Sequence, residues 1–306
     1  MTIIQTLVLM KNNWVNEWVN MPHFVIPTRD TEKRNKIDIS DVQEIAERST
    51  SKQPKYPIYI ISKGRFNNPQ TARALDALGI DYKIVIEPTE YDEYCNVIDE
   101  EKILTLPFSD LGQGSIPARN WVLDHSIANG DKRHWILDDN LGGFGYQKGG
   151  RRVTSKTNGD LFRECEDFVD RYKNIKIAGI RYRFNHNYVK SPYYLNTRIY
   201  SCILIDNTIQ HRWRGRYNED TDLSLRVLKD GDCTMLFIWC FCNKAGTLTM
   251  KGGNTNTVYK DTDDRKEFAE SLREQHPDVV KVVWRYKRWH HDVNYKSFRD
   301  NRLIKA

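Results

Sequence analysis

An apolar run that ends in charge is the strongest chemical signal in the chain: His134-Trp135-Ile136-Leu137 leads directly into Asp138, Asp139 and Asn140. Two neighbouring carboxylates at a strand tip repel one another unless a cation or several donors stand between them. A hard divalent ion, Mg²⁺ or Mn²⁺, resolves that conflict when water and a diphosphate fill the rest of its shell. The same three residues also suit a plain turn, because Asp and Asn are common loop formers. A second acidic cluster, Glu219, Asp220 and Asp222, opens a segment that carries Leu223, Val227 and Leu228 at helical spacing. The helix dipole and capping favour acidic residues there, but three exceed what a cap needs. A carboxylate at such a point can take the proton of an acceptor hydroxyl, the general-base role in group transfer.

Two basic or glycine-bearing groups accompany the carboxylates. Ser62-Lys63-Gly64-Arg65 follows an earlier apolar run, and Glu87 ends the next one. Glycine lets a ligand approach the backbone closely, and arginine offers a fork to a phosphate or a base edge. Arg119 and Asn120 fall early in a helix expected after Pro117 and can reach the same cleft. Taken singly, each of these residues also reads as solvated or structural.

The elements that must position these residues are legible in outline. IYIIS at 58–62 is short and β-branched and reads as a buried parallel strand. TARALDALG then places Ala72, Leu75 and Leu78 at helical spacing with Gly79 as a stop, and DYKIVIEP returns as a second strand, completing a β-α-β unit. Asp110 to Ser115 is a glycine-containing loop, Pro117 suits a helix running through Trp121, Val122 and Ile127, and Gly130 ends it. HWILDDN at 134–140 is a third strand. The later runs IKIAGI, YSCILI and TMLFIWCFC indicate a mostly parallel sheet with a mixed second half. Ligands of open α/β sheets bind outside the carboxyl ends of the strands, where the polar clusters fall. The glycine-rich stretch at 142–159 reads as a mobile loop, with a lid over the carboxylates as the functional version.

At 306 residues the chain fits one main domain with an appendage. We expect a small accessory segment at 1–52, with Asp41 capping a short helix, and a domain at 53–306. Hydrophobic residues at 39% and aromatics at 11% suffice for a sizeable core. No run of eighteen apolar residues and no leader of the secretory kind occurs, so a cytosolic protein without a membrane partner is expected. The six cysteines are scattered and read as reduced structural thiols, the one close pair being Cys240 and Cys242 inside a strand-like run. The net charge of +6 becomes informative through its placement. Between Lys281 and Lys305, the basic residues Arg285, Lys287, Arg288, Arg299 and Arg302 alternate with Trp284, Tyr286, Trp289 and Tyr295.

Taken in order, ISKGR after a first strand, ARN at 118–120, WILDDN, NEDTDLSLR and GGN at 252–254 resemble the GT-A glycosyltransferases. Within them the chain is most similar to the TET-associated glycosyltransferases, a group found largely in bacteriophages and linked to sugar addition on 5-hydroxymethylpyrimidines in DNA. Residues 19–50, beginning VNMPHFV, also resemble a small leader of related phage domains. The resemblance implies an α/β fold of GT-A type, a Rossmann-like and mostly parallel sheet flanked by helices, with a small N-terminal extension. It implies a nucleotide-sugar donor, most simply a UDP-sugar, and a divalent metal, Mn²⁺ or Mg²⁺. Asp138, Asp139 and Asn140 occupy the DXD-type position that contacts donor ribose and metal, with Asn140 where many members carry a third carboxylate. Asp220 holds the xED-type position of the base, with Glu219 as the alternative, and His290 or His291 is the candidate to complete the metal shell. Ser62, Lys63, Gly64, Arg65, Glu87, Arg119 and Asn120 would hold the nucleotide. A phage-encoded enzyme of this kind would work in the host cytoplasm.

For the acceptor, Arg214 and Arg216 precede the acidic cluster, and Lys287, Arg288 and Trp289 lie in the basic aromatic end. Cations along a groove neutralise phosphates, and aromatics stack on an extruded base. Together with these features, the resemblance implies an acceptor of DNA carrying a hydroxymethylated pyrimidine. The competing readings are a transferase acting on a polysaccharide, lipid or protein, a nucleotidyltransferase, and a non-catalytic DNA-binding module.

Overall fold

Strict alternation of apolar side chains builds a sheet that is covered on both sides. The computed structural model describes residues 53–148, 151–154, 159–183, 192–244 and 265–306; the expected accessory segment at 1–52, with its Asp41-capped helix, and the GGN motif lie outside them. In β1 (Ile58–Ile61), β2 (Lys83–Ile86) and β4 (Arg133–Asp138), Ile58, Ile60, Ile84, Ile86, Trp135 and Leu137 join one core. Tyr59, Val85 and Ile136 join the other. Helices α1 (Gln70–Asp76) and α4 (Asp160–Val169) cover the first face through Ala72, Leu75, Phe162, Cys165 and Phe168. The second face is covered by α3 (Ile116–Ala128) and α5 (Glu219–Lys229) through Val122, Leu123, Leu223 and Val227. A short α2 (Tyr91–Cys95) follows β2. Each fully buried aliphatic side chain of this kind stabilises the fold by about 1.5–3 kcal/mol.

The remaining strands are β3 (Ile103–Thr105), β5 (Leu141–Lys148), β6 (Arg151–Thr154), β7 (Ile175–Tyr182), β8 (Tyr193–Leu195), β9 (Cys202–Asp206) and β10 (Cys233–Lys244). With β1, β2 and β4 they form one ten-stranded sheet in the order β3-β2-β1-β4-β9-β7-β10-β5-β6, with β8 also on β10. Strands β1 to β4 are mutually parallel. β9 runs against β4 and β7 runs against β9, so β7 points the same way as β4; β10 is parallel to β7. The carboxyl ends of β1, β2, β4, β7 and β10 therefore share one edge, and β9 starts there. The expected mostly parallel sheet with a mixed second half is what forms.

The glycine-rich stretch expected as a mobile loop instead contributes β5 and β6, which pair antiparallel with each other while β5 pairs with β10. Pairing to a long buried neighbour outweighs the low strand preference of glycine. Five of the six cysteines are buried and all six are free thiols, and Cys165 and Cys240 have their sulfurs 3.9 Å apart.

A third, smaller core lies beyond α5. Leu225 and Leu228, on the face of α5 turned from the sheet, meet Leu272 of α6 (Arg265–Gln275), Val280 and Phe298. Val280 begins β11 (Val280–Arg285), which pairs antiparallel with β12 (Arg288–Val293) as a separate hairpin. No helix among the described residues is long and apolar enough to cross a membrane.

One glycine is needed for close approach inside the sheet. A Cβ on Gly179 of β7 would overlap Ile199 Cγ2 and lie 2.5 Å from the carbonyl oxygen of Cys202. That oxygen belongs to the backbone entering β9 and cannot move without distorting the ladder. Gly179→Ala is expected to destabilise the protein by about 1–3 kcal/mol, measurable as a lowered denaturant midpoint. An unchanged midpoint would show that the β7–β9 contact relaxes freely.

Candidate active site

The turn after β4 is fixed from below before any side chain is considered. Thr71, at the start of α1, donates through Oγ1 to the Asp138 carbonyl (2.6 Å), accepts from the Leu141 amide (2.8 Å), and its amide donates to the Asp139 carbonyl (3.3 Å). Asp138 is therefore presented at the edge where β1, β7 and β10 also end. Its amide donates to the carbonyl of Ser201 (2.8 Å). Ser201 has a φ of 61°, a left-handed conformation uncommon for a residue with a side chain. Such strain persists where the surroundings impose it, commonly at functional sites.

Asp138 and Asp220 converge on one guanidinium. Arg119 Nη2 lies 3.0 Å from Asp138 Oδ1, and Arg119 Nη1 lies 3.3 Å from Asp220 Oδ1. Arg119 reaches them from the first turn of α3, where its Nε donates to Ser115 Oγ (3.2 Å), and Ser115 in turn donates to Glu219 Oε1 (3.4 Å). Asp220 Oδ1 also accepts from the Trp213 indole (2.9 Å), whose ring packs under the Arg119 guanidinium. Two acidic groups that lie far apart in the sequence thus face one cleft.

Lys244, the last residue of β10, completes the edge. Its ammonium donates to Asp138 Oδ2 (2.7 Å) and to Ser201 Oγ (2.5 Å), and Ser201 Oγ is also 2.7 Å from the Tyr182 hydroxyl at the end of β7. Sequence reasoning passed over Lys244, Ser201 and Tyr182. The only local sign was a polar residue ending a long apolar run.

The loop after β1 meets Asp139. Ser62 Oγ donates to Asp139 Oδ2 (2.8 Å) and is 2.5 Å from the Tyr94 hydroxyl, while the Arg65 guanidinium pairs with Asp139 Oδ1. Gly64, with a φ of 66°, points its amide at both oxygens of Glu90 (2.8 and 2.9 Å). Lys63 bridges Glu87 (2.6 Å) and Asp110 (2.7 Å). Ser62 and Arg65 therefore meet on Asp139, and Arg119 and Lys244 on the adjacent Asp138, with Lys63 and Glu87 beside them. Asn120 does something else: its side chain accepts from the Trp213 amide (2.8 Å) and donates to the Trp213 carbonyl (2.9 Å), so it anchors the loop that carries the indole. Asp222, fully buried, accepts from His276 (2.8 Å), Arg226 (2.8 Å) and Arg214 (3.1 Å), which makes it a structural hub of α5 and engages Arg214 there.

The electrostatics follow these contacts. Burial alone would raise the Asp138 pKa, but Lys244 and Arg119 outweigh it and hold the carboxyl well below its usual range. At Asp139 and Asp220 burial prevails over Arg65 and Arg119 respectively, and both are raised. Glu219 is pushed up to about 7 by burial and then by the charge of Asp220.

Among the described residues the expected metal centre is not assembled. All four carboxylate oxygens of Asp138 and Asp139 have a protein donor, three of them from Lys244, Arg119 and Arg65. Asn140 is buried, and its Oδ1 accepts no hydrogen bond from the described residues; one neutral oxygen is a weak site for a hard ion. His290 and His291 sit on β12. His290 Nε2 is 3.1 Å from the Arg285 carbonyl, and His291 is pushed down to about 4 by burial and by Arg198. Among the described residues no three of His, Cys, Asp and Glu are grouped to hold an ion. The cations beside these carboxylates among the described residues are Lys244, Arg119 and Arg65.

The model of the TET-associated glycosyltransferase family matches residues 56–253, which includes the loop after β1, the β4 turn, the start of α5 and Lys244. The chain belongs to the TET-associated glycosyltransferases. As a member it is a glycosyltransferase, and the family implies a nucleotide-sugar donor. No curated protein sequence matches it. Among solved structures it is similar to one assigned as a nucleotide-diphospho-sugar transferase from Desulfovibrio desulfuricans G20, at 10% identity and a TM-score of 0.36, over 74% of this chain and 96% of that one. A mannose-6-phosphate isomerase from Helicobacter pylori matches at 10% identity and a TM-score of 0.27, over 80% of this chain and 89% of that one.

Proposed function

We propose that this TET-associated glycosyltransferase moves a sugar from a UDP-sugar to the hydroxyl of a 5-hydroxymethylpyrimidine in DNA. The observation that carries the reading is the meeting of Asp138 and Asp220 on Arg119, at the edge where the loop after β1 also ends. That edge is where an α/β sheet binds a nucleotide. Ser62, Gly64 and Arg65 hold the nucleoside, and Asp138 and Asp139, fixed by their cations, accept from its ribose hydroxyls.

In the transfer, the acceptor hydroxyl oxygen forms a bond to the anomeric carbon while the bond from that carbon to the diphosphate oxygen breaks. The electron pair leaves with the nucleoside diphosphate. The hydroxyl proton passes to Asp220, at Oδ2, the oxygen that neither Trp213 nor Arg119 engages; Glu219 is the alternative acceptor. An alkyl hydroxyl is a poor nucleophile at neutral pH, so a carboxylate that accepts its proton late in bond formation accelerates the step. A single displacement of this kind inverts the anomeric centre. GT-A-type transferases commonly use a divalent ion, but the paired carboxylates here do not offer one a shell, and no step of this scheme passes through a metal.

The DNA acceptor rests on the basic aromatic hairpin. Trp284 and Tyr286 are exposed, Tyr286 and Lys287 form its tip, Arg288 is exposed beside them, and Trp289 packs between Trp284 and Lys266. Arg216 is exposed just before α5. Each phosphate contact releases counterions, so Arg288→Ala is expected to weaken DNA binding and reduce the salt slope by about 1. Unchanged affinity and slope in titrations at several salt concentrations would place the acceptor path elsewhere.

The function itself is tested by incubating the chain with UDP-sugars and DNA containing 5-hydroxymethylcytosine or 5-hydroxymethyluracil, then weighing the digested nucleosides. A nucleoside heavier by one sugar residue, with nucleoside diphosphate as co-product, is expected. Release of pyrophosphate would mean nucleotidyl transfer, and sugar appearing only on a glycan acceptor would overturn the DNA reading.

A further inference from the structure

Among the described residues Lys244 has more hydrogen-bond donors than its acceptors use, with the Tyr182 ring 5.4 Å from its ammonium. An ammonium carries three N–H donors, and Asp138 and Ser201 take two of them. Its side chain is 19% exposed, so it can be reached from the cleft, whereas Arg119, on the other oxygen of Asp138, is 5% exposed. Ser201, held by the Tyr182 hydroxyl and by its left-handed backbone, fixes where the ammonium points. Arg119 is shared with Asp220, and Lys244 is the second cation on Asp138. A divalent ion could gain Asp138 only by displacing Lys244, against the repulsion of both fixed cations.

We propose that Lys244 is the chain's own cation for the donor diphosphate, its third N–H donating to a phosphate oxygen, so that donor binding and sugar transfer need no divalent metal. This rests on reading the cleft as a nucleotide-sugar site. As the bond from the anomeric carbon to the diphosphate breaks, negative charge grows on the departing oxygen. Lys244, placed at the carboxyl end of β10 and fixed before the reaction, meets that charge without reorganising. The surroundings keep it charged: burial would lower its pKa, but Asp138 raises it further.

The test is calorimetric titration of the full chain with UDP and with UMP, repeated with GDP, CDP and TDP and their monophosphates, in EDTA and in Mn²⁺. One nucleoside diphosphate is expected to bind with affinities within about twofold in the two buffers. A charge-assisted hydrogen bond of this kind corresponds to roughly 10- to 100-fold in affinity, so Lys244→Met should weaken the diphosphate by that factor and the monophosphate far less. Lys244→Arg should retain most of the diphosphate affinity. If the Met variant does not fold, the wild-type comparison and the Arg variant still decide. Diphosphate binding that appears only with Mn²⁺, or that is equal in wild type and Lys244→Met, overturns the role of Lys244 and leaves the donor site standing. Absence of nucleotide binding in both buffers overturns the donor site and Lys244 with it.

Discussion

Asp220→Asn is expected to lower kcat by about 10²- to 10⁴-fold, the usual range for loss of a positioned general base. Nucleoside diphosphate affinity should change little, because the Arg119 and Trp213 contacts can both be made to an amide oxygen. The pH profile carries a second signature. A base works ionised, so the rate falls as pH drops through its pKa, and both Asp220 and Glu219 titrate above their ordinary values because each is buried. The acid limb of kcat/KM in the wild type should therefore inflect above the ordinary carboxylate range. The Asp220 charge is one of the causes that raise Glu219, so removing it should move the residual inflection downward. Turnover at the wild-type rate in Asp220→Asn would assign the base elsewhere, and Glu219→Gln would then be the variant to examine.

Arg119→Met should cost the most stability of any single change at the site. Its guanidinium is almost wholly buried and lies between Asp138 and Asp220, which are themselves mostly covered. Removing one partner of a buried ionic group leaves charge uncompensated and typically costs about 3–5 kcal/mol. Here Lys244 still serves Asp138, so the loss falls mainly on Asp220 and places the effect toward the lower end. Chemical denaturation should show this drop, and adding Asp220→Asn to Arg119→Met should restore part of it. A variant as stable as the wild type would show that water, and not Arg119, balances these carboxylates.

What could be read in the sequence was whatever a local pattern encodes. The runs at 58–62, 83–86 and 134–138 are apolar on both faces, so the buried parallel strands, the helices between them and the polar groups at their ends were legible together. The convergence of the Asp138-Asp139 turn with Asp220 was legible only because the resemblance placed both motifs, and it is Asp138 that shares Arg119 with Asp220. Lys244 was not legible: its meaning depends on β10 lying parallel to β7, with β9 between β7 and β4, and no spacing along the chain expresses that. For Asn120 and Arg214 the structure adds contacts that no local pattern expresses. A polar side chain next to a functional one looks functional, whereas Asn120 holds the backbone of Trp213 and Arg214 holds Asp222. His290 and His291 were suggested by position in the family and lie on a hairpin where neighbouring basic groups and burial disfavour a positive charge on His291. The glycine-rich segment at 142–159 lacks the residues strands prefer, and its pairing with β10 is a tertiary fact.

Hydrogen–deuterium exchange of the full chain, with and without saturating nucleoside diphosphate, tests the shared cleft most directly. Slower exchange is expected together in peptides spanning 62–66, 136–141, 200–203, 218–222 and the end of β10, with the hairpin at 280–293 unchanged until DNA is added. Protection confined to one of these segments, or centred on the hairpin with nucleotide alone, would contradict a single donor site built by Asp138, Asp139, Arg119 and Asp220.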